Sequence, residues 1–187
     1  MYTPDEKMAW ETLSQEYVYK SPWLVARKDA VKLPDGRILD DFYVLEYPEW
    51  VNVIALTEDG KMVMVEQYRY ALGRVSLEIP AGTVEKNGES PLECAQRELL
   101  EETGFAGGTW EYFACLSPSA DTHTNLSHTF LAAGVKRVAE QSLDPSEQIK
   151  VHLFEKREVL EMLQKGVFFQ APLVAPLWKY FYLNPCC

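Results

Sequence analysis

The sequence predicts an α/β fold, an α/β/α sandwich around a mixed β-sheet, with a small N-terminal β unit. Three observations predict this class. Apolar runs typical of strands are followed by amphipathic segments typical of helices, a hairpin signal stands early in the chain, and 47% of the 187 residues are hydrophobic. This apolar share is ample for a core, and the length favours one main domain with a small appendage.

Residues 1–48 form the predicted N-terminal unit, which is rich in β-structure. Trp10 to Tyr19 is a mixed stretch that could begin as a helix and end as a strand. Trp23 to Val31 and Arg37 to Tyr47 have strand character. Between them, Leu33-Pro34-Asp35-Gly36 is a strong hairpin signal, because Pro and Gly suit tight turns.

Residues 49–187 form the predicted main domain. Trp50 to Thr57 is a nearly continuous apolar run, typical of a strand buried on both faces. Ser90 and Pro91 resemble the start of a helix that ends near Gly104. The remaining expected elements are strands at 61–68, 76–79, 110–116, 127–133 and 149–154, and helices at 157–164 and 172–182.

Charge and cysteine content exclude several classes of protein. The net charge of -10 argues against electrostatic binding to nucleic acid. No apolar run approaches the roughly 20 residues of a membrane span, and the first ten residues do not resemble a signal peptide. Cys94, Cys115, Cys186 and Cys187 show no CxxC spacing, so we expect reduced thiols in a cytoplasmic protein.

The segment from Gly82 to Phe105 contains a cluster of glutamates on one predicted helix. Glu98 and Glu102 are i,i+4 neighbours, and Glu101 is i,i+3 from Glu98. Two carboxylates about 4 Å apart repel each other by roughly 4 kcal/mol at an effective dielectric constant of about 20. A divalent cation between them would explain the cluster, and oxygen ligands favour Mg²⁺ or Mn²⁺.

The alternative is a solvated acidic face on which Arg97 pairs with Glu101. That interpretation leaves three features of the same segment unexplained. They are the glycine before the helix, the upstream Glu89, and Gly104 at the helix end. A metal site accounts for them together.

The segment resembles the Nudix box, whose pattern is Gly, five residues, Glu, seven residues, then Arg-Glu-aliphatic-any-Glu-Glu-any-Gly-aliphatic. The members in register are Glu89, Arg97, Glu98, Leu99, Glu101, Glu102 and Gly104. Phe105 replaces an aliphatic residue. The first glycine is Gly82, although the register expects it at Thr83, and we attribute this to one extra residue in the turn Lys86-Asn87-Gly88.

Flanking segments are similar to the ADP-ribose pyrophosphatase branch of that superfamily. They are Val65 to Tyr70, Leu77 to Gly82, and Pro118 after the box. The resemblance extends from about Trp10 to Tyr182 and implies the Nudix fold. It also implies a homodimer that hydrolyses ADP-sugars with Mg²⁺ or Mn²⁺, two or three ions per site, and no nucleic-acid or membrane partner.

The resemblance implies roles for the box residues. The backbone carbonyl of Ala81 and the carboxylates of Glu98 and Glu102 would bind the metal. Glu101 would be a further ligand or would position a water molecule. Arg97 would orient these glutamates through salt bridges.

Other motif positions would support the site or start the reaction. Gly82 and Gly104 are structural in the motif, and Glu89 would brace the loop and helix, with a contact to a metal left open. Branch members use a carboxylate on a late loop as a candidate base. The segment Asp144-Pro145-Ser146-Glu147-Gln148-Ile149 matches that loop, and Glu147 is the expected base, with a surface role as its alternative.

Four further residues are candidates for contacts with the substrate. Arg69 could bind a phosphate or form a surface salt bridge. Glu78 could bind the nucleobase or brace a dimer contact. In this branch the early strands often cross to the partner subunit, so Trp23 and Phe42 could stack on adenine, or pack in the core or the dimer interface.

The expected reaction is metal-dependent hydrolysis of the diphosphate bond of a nucleoside diphosphate sugar, with ADP-ribose giving AMP and ribose 5-phosphate. Because the box contacts only diphosphate and metal, GDP-mannose, a dinucleoside polyphosphate and NADH remain open as substrates. A non-catalytic nucleotide-sugar-binding module is another alternative. Such modules usually lose box glutamates, whereas Glu98, Glu101 and Glu102 are all present.

Overall fold

The computed structural model describes residues 2–85 and 88–185. Lys86 and Asn87, where the extra box residue was expected, lie outside the described residues, as do Cys186 and Cys187. The first five strands are β1 (Glu11–Lys20), β2 (Val25–Lys32), β3 (Ile38–Glu46), β4 (Trp50–Thr57) and β5 (Met62–Arg69). The next six are β6 (Arg74–Glu78), β7 (Ala81–Thr83), β8 (Phe105–Ala106), β9 (Thr109–Leu116), β10 (Ser127–Arg137) and β11 (Ile149–Phe154). The helices are α1 (Pro91–Thr103), α2 (Lys156–Gln164) and α3 (Ala171–Leu183), with short 3₁₀ turns at Glu6–Met8 and Tyr70–Leu72.

The chain divides into two compact units. The first contains the residues up to Pro48 and the loop Ser119–Asn125. Its strands β1, β2 and β3 form an antiparallel three-stranded sheet. The backbone N–H of Leu45 donates to the carbonyl of Thr122 at 2.8 Å, which ties the loop to β3.

The hairpin between β2 and β3 forms as expected. The N–H of Gly36 donates to the carbonyl of Leu33, and Gly36 has a φ of 87°. The mixed character expected for Trp10 to Tyr19 is wrong, because residues 11–20 form strand β1 throughout. Pairing along the whole of β2 overrides the ambiguous local pattern.

The second unit contains Glu49–Pro118 and the described residues from Leu126 onwards. Its eight-stranded sheet has the path β11-β5-β4-β10-β8, with β6, β7 and β9 paired to β5, β4 and β10. Strands β10 and β4 are parallel, whereas their other neighbours are antiparallel. The sheet is therefore mixed.

Helices cover both faces of this sheet, which explains the apolar run of β4. Val51, Val53 and Ala55 pack toward α1, together with Leu99. Ile54 packs on the other face, with the residues of α2 and α3. Because side chains alternate along a strand, both sets of positions must be apolar when both faces are covered.

The ends of α1 follow the expected capping chemistry. Ser90 is the N-cap and forms a capping box with Glu93, and Pro91 occupies the first turn. Gly104 ends the helix in the left-handed region, with a φ of 75°. The caps fix the length of the helix that carries the glutamates. None of the helices in the described part of the chain combines the length and apolar character needed to cross a membrane.

We expect Gly104→Ala to destabilise the second unit by about 2 kcal/mol. Alanine at this position would have to adopt a left-handed φ, and its Cβ would overlap the carbonyl oxygen of Ala139. Chemical denaturation measures the change in the free energy of unfolding. Gly60→Ala is the matched control, because Gly60 has a φ of 83° but open space around its Cβ position. Equal losses in the two variants would contradict a role for the overlap.

Candidate active site

Strand β7 lies between α1 and β4. Its register with β4 pairs Asn52 with Ala81 and Val51 with Gly82. The backbone N–H of Ala81 donates to Oε2 of Glu102 at 3.1 Å. A Cβ on Gly82 would overlap the carboxyl group of Glu98. The missing side chain of Gly82 thus lets the carboxylate of Glu98 lie against the β7 backbone, beside that of Glu102.

Arg97 links the glutamates of the segment. Its guanidinium forms salt bridges to Glu89 at 2.8 Å, to Glu98 at 3.0 Å and to Glu101 at 2.9 Å. Glu89 also accepts a hydrogen bond from the backbone N–H of Glu85 at 3.2 Å. The expected orienting contacts of Arg97 and the bracing contacts of Glu89 are therefore present, while their effect on catalysis stays a prediction.

The two carboxylates nearest β7 carry unfavourable charge. Burial raises the pKa of Glu98 to about 7 against the opposing effect of Arg97, and the charges of Glu101 and Glu147 add to the increase. The pKa of Glu102 is raised well above its usual value, mainly by burial and then by Glu98 and Glu147. Glu102 is only 2% exposed. Such a pair needs a positive partner or a proton.

Glu147 approaches this pair from a distant part of the chain. It lies in the segment between β10 and β11, where its carboxylate accepts a hydrogen bond from the N–H of Asp144 at 3.1 Å. Its charge contributes to the raised pKa values of both Glu98 and Glu102. The structure thus brings the expected base near the two carboxylates, although its catalytic role stays a prediction.

The donor set fits a hard divalent cation. Glu98 and Glu102 offer carboxylate oxygens whose charge is poorly compensated, next to the backbone of β7. Within residues 2–85 and 88–185, no three acidic, histidine or cysteine side chains already converge as a coordination shell. One reason is that the expected further ligand, Glu101, is 41% exposed and turned to Arg97.

Arg69 and Glu78 form an ion pair in which only the carboxylate is buried. The Nε and one terminal nitrogen of Arg69 donate to the two carboxylate oxygens of Glu78, at 3.0 and 2.6 Å. Glu78 is 1% exposed. Burial lowers the pKa of Arg69, but Glu78 outweighs it and raises the pKa, with smaller contributions from Glu102 and Glu147. The pair therefore neutralises itself, and its expected contacts with substrate stay predictions.

The two expected aromatic contacts belong to the first compact unit. Trp23 is 78% exposed. Phe42 packs edge to face against Trp10, with ring centroids 5.6 Å apart. Packing explains the position of Phe42, and a stacking role for either ring stays a prediction.

A cavity of about 520 Å³ adjoins β7 within the second unit. Asn52 and Gln170 line it, and neither is among the site residues predicted from the sequence. For Asn52 a signal was available, because it is the one amide in the apolar run of β4. Gln170 directly precedes α3, and no local pattern marks its position.

We expect the metal-free protein to lose stability as the pH rises from about 5 to about 7, owing to Glu98. Its folded pKa of about 7 lies above the ordinary value of 4.5. Its contribution to stability is therefore fully present below pH 4.5, falls as the pH rises toward the folded pKa, and is gone above about 7. Denaturation in EDTA between pH 5 and 8 measures this slope. Glu98→Gln should flatten it, whereas Glu111→Gln on the surface should not; a wild-type slope in Glu98→Gln would contradict the assignment.

Two protein-family models match the chain. The one described as a NUDIX domain matches residues 47–177, and the one described as a nucleoside diphosphate sugar hydrolase N-terminal domain matches residues 10–45. The first match includes β7, α1 and the segment of Glu147. The resemblance inferred from the glutamate spacing is thereby confirmed.

Two curated relatives match over most of their length. The methanol dehydrogenase activator of Bacillus methanolicus is 32% identical over 165 residues, 88% of each chain. The ADP-ribose pyrophosphatase of Bacillus subtilis (strain 168) is 30% identical over 162 residues, 86% of each chain. A crystal structure of an ADP compounds hydrolase matches with a TM-score of 0.78 and 18% identity, covering 94% of this chain and 96% of that one. The structural match confirms the expected fold class.

Proposed function

The chain belongs to the Nudix hydrolase family, and on this basis we propose that it hydrolyses the diphosphate bond of a nucleoside diphosphate sugar. ADP-ribose is the proposed substrate, and AMP and ribose 5-phosphate are its products. One observation carries the proposal. Two carboxylates with raised pKa values lie against the backbone of β7, the buried Glu102 at Ala81 and the partly buried Glu98 at Gly82. Buried, perturbed acids of this kind mark functional sites.

The proposed metal is Mg²⁺ or Mn²⁺, with two or three ions per site. The carbonyl of Ala81 and the carboxylates of Glu98 and Glu102 would hold it, and Glu101 would join them on release from Arg97. When bound, such ions neutralise a diphosphate and lower the pKa of a bound water molecule. The chain supplies orientation, because Arg97 holds Glu89, Glu98 and Glu101 in one network.

Glu147 is the proposed base that takes the proton from the attacking water, a role that a box glutamate could share. We therefore expect Glu147→Gln to lower kcat by about tenfold, less than the loss of an unshared base. Stabilisation by Mg²⁺ in thermal unfolding should persist in this variant. Loss of that stabilisation would indicate that Glu147 binds the metal. An unchanged kcat would show that Glu147 has no role in catalysis.

A substrate panel tests the proposed function. ADP-ribose, GDP-mannose, a dinucleoside polyphosphate and NADH are each incubated with the protein and Mg²⁺, and the products are identified by mass. We expect the highest kcat/KM with ADP-ribose and the release of AMP. Faster turnover of another compound would show that ADP-ribose is not the preferred substrate, while the proposed enzyme class would stand. Tight binding of ADP-ribose without turnover in Mg²⁺ or Mn²⁺ would indicate a non-catalytic binding module.

We also propose that the protein forms a homodimer through the first unit. A three-stranded sheet needs an apolar face covered to be stable. Much of its apolar surface is exposed, at Leu13, Tyr17, Tyr19, Ile38 and Tyr43. A second copy of the chain would cover it. In such a dimer, Trp23 and Phe42 are the aromatic residues proposed to stack on adenine. Sedimentation equilibrium at micromolar concentration should give twice the mass of the 187-residue chain, and a monomer would contradict the proposal.

A further inference from the structure

The cavity beside β7 has polar atoms that the fold itself does not use. Asn52 lines it and is 1% exposed. Among the described residues, Oδ1 of Asn52 and Nε2 of Gln170 are buried and have no hydrogen-bond partner. An unsatisfied buried polar atom destabilises the folded protein, so a ligand that satisfies both atoms would be favoured.

The orientation of the Asn52 amide follows from its neighbours. Its Nδ2 donates to Oγ of Ser127 at 3.0 Å and to the carbonyl of Pro172 at 3.4 Å. That carbonyl lacks its usual helical donor, because Pro176, four residues later in α3, has no N–H. A carbonyl only accepts hydrogen bonds, so the amide nitrogen must face it. Oδ1 is therefore the atom left for a ligand, and it requires a donor.

The side chain of Gln170 does not serve the helix that it precedes. It occupies the N-cap position of α3 but makes no side-chain capping bond. Serine, threonine, asparagine and aspartate are the usual caps, because their short side chains reach the first N–H groups. A capping bond would use its side-chain oxygen, because helix N–H groups donate, so the Nε2 of Gln170 is a separate matter. It is buried without a hydrogen-bond partner and requires an acceptor.

Resting on the proposed function, we propose that this cavity binds the sugar attached to the diphosphate. Ala81 and Gly82 of β7 also line the cavity, so it adjoins the backbone that the proposed diphosphate site uses. A hydroxyl group both donates and accepts, so a sugar can satisfy the two amides at different points of its ring. Arg69, the charged residue in the lining, is neutralised by Glu78, which suits an uncharged group.

The lining matches this assignment in other respects. Ser127 and Thr83 add hydroxyl groups, while Trp50, Leu72 and Leu173 provide apolar surface for the carbon face of a ring. Few polar groups among apolar walls are typical of small-molecule sites, and about 520 Å³ lies within their usual volume. Asn52 and Gln170 would thus determine which sugar is accepted.

The test separates the sugar from the base with two substrate pairs. ADP-ribose and ADP-glucose differ in the sugar, whereas ADP-ribose and GDP-ribose differ in the base. We expect Gln170→Met to bring the kcat/KM ratio of the sugar pair closer to one by roughly threefold to tenfold, the effect of one hydrogen bond. The ratio of the base pair should not change. Gln164→Met, at an exposed position of α2, is the matched control and should leave both ratios unchanged.

Asn52→Leu should have the same effect if it folds. Asn52→Leu also removes two internal hydrogen bonds, which could unfold the protein. In that case Gln170→Met alone tests the proposed sugar subsite. A changed base ratio with an unchanged sugar ratio would assign the cavity to the nucleobase and overturn the proposal. Two unchanged ratios in folded Gln170→Met would also overturn it.

A binding measurement distinguishes failure of this subsite from failure of the proposed function. If the wild type hydrolyses none of the compounds, the proposed function fails. Saturation-transfer NMR with ribose 5-phosphate and with AMP then decides the subsite. We expect the ribose 5-phosphate signal to weaken in Gln170→Met but not in Gln164→Met, with AMP unaffected. The absence of ribose 5-phosphate binding to the wild type would overturn the subsite.

Discussion

Replacing Glu102 with glutamine is expected to lower Mg²⁺-dependent turnover of ADP-ribose by about a thousandfold, the upper range for losing one charge-stabilising group. Glu102 is buried, and its carboxylate contacts the backbone N–H of Ala81 at 3.1 Å. Glutamine keeps the size of the side chain but removes the charge that would hold the cation. Steady-state kinetics over a range of Mg²⁺ concentrations measures the loss.

The stability of this variant separates loss of the metal from loss of the fold. Burial raises the pKa of Glu102 well above its usual value, so the ionised form destabilises the folded protein. In EDTA at pH 8, we therefore expect Glu102→Gln to unfold at the same temperature as the wild type or higher, with no gain from Mg²⁺. Glu93→Gln is the control, because glutamine also serves in a capping box. Undiminished turnover in Glu102→Gln would defeat the ligand assignment.

Replacing Gly82 with alanine is expected to lower kcat/KM by about a hundredfold while the fold persists. The added Cβ would overlap the end of the Glu98 side chain, which can rotate away at little cost in stability. A displacement of about 1 Å in a catalytic group can cost about 10² in rate. Kinetics and thermal unfolding, measured on the same preparation, should show the activity falling and the melting temperature changing little.

A double-mutant cycle tests whether Gly82→Ala acts through Glu98. If the methyl group works by displacing that carboxylate, then Gly82→Ala should add little to the loss already caused by Glu98→Gln. Independent effects would instead multiply. A multiplied loss in the double variant would show that Gly82 has a separate role, such as close approach of the diphosphate to β7.

Local patterns of the sequence predicted the parts of the site that depend on one helix. The i,i+4 spacing of Glu98 and Glu102 and the capping residues Ser90 and Gly104 correctly placed α1 and its acidic face. These features depend on neighbours within a turn or two, and periodicity reports such neighbours directly. The fold class followed in the same way from apolar runs and turn signals.

Strand β1 shows where local patterns were insufficient. Trp10 to Tyr19 has no clear period, and its strand conformation comes from pairing with β2. The same holds for Arg69, whose pairing with Glu78 depends on the register of β5 and β6. The residue pattern along one strand does not specify the register in which that strand pairs with its neighbour.

The sequence by itself determined the family, the fold class and the glutamates proposed to bind a cation. The family and the glutamates follow from residue spacing along one helix and its flanking turns, and the fold class follows from apolar runs and turn signals, all of which are local patterns. Only the tertiary structure decided which distant groups join them. The approach of Glu147, the ion pair of Arg69 and the unsatisfied amides of Asn52 and Gln170 arise where segments far apart in the chain pack together. Such contacts depend on strand register and helix docking, which the whole fold sets.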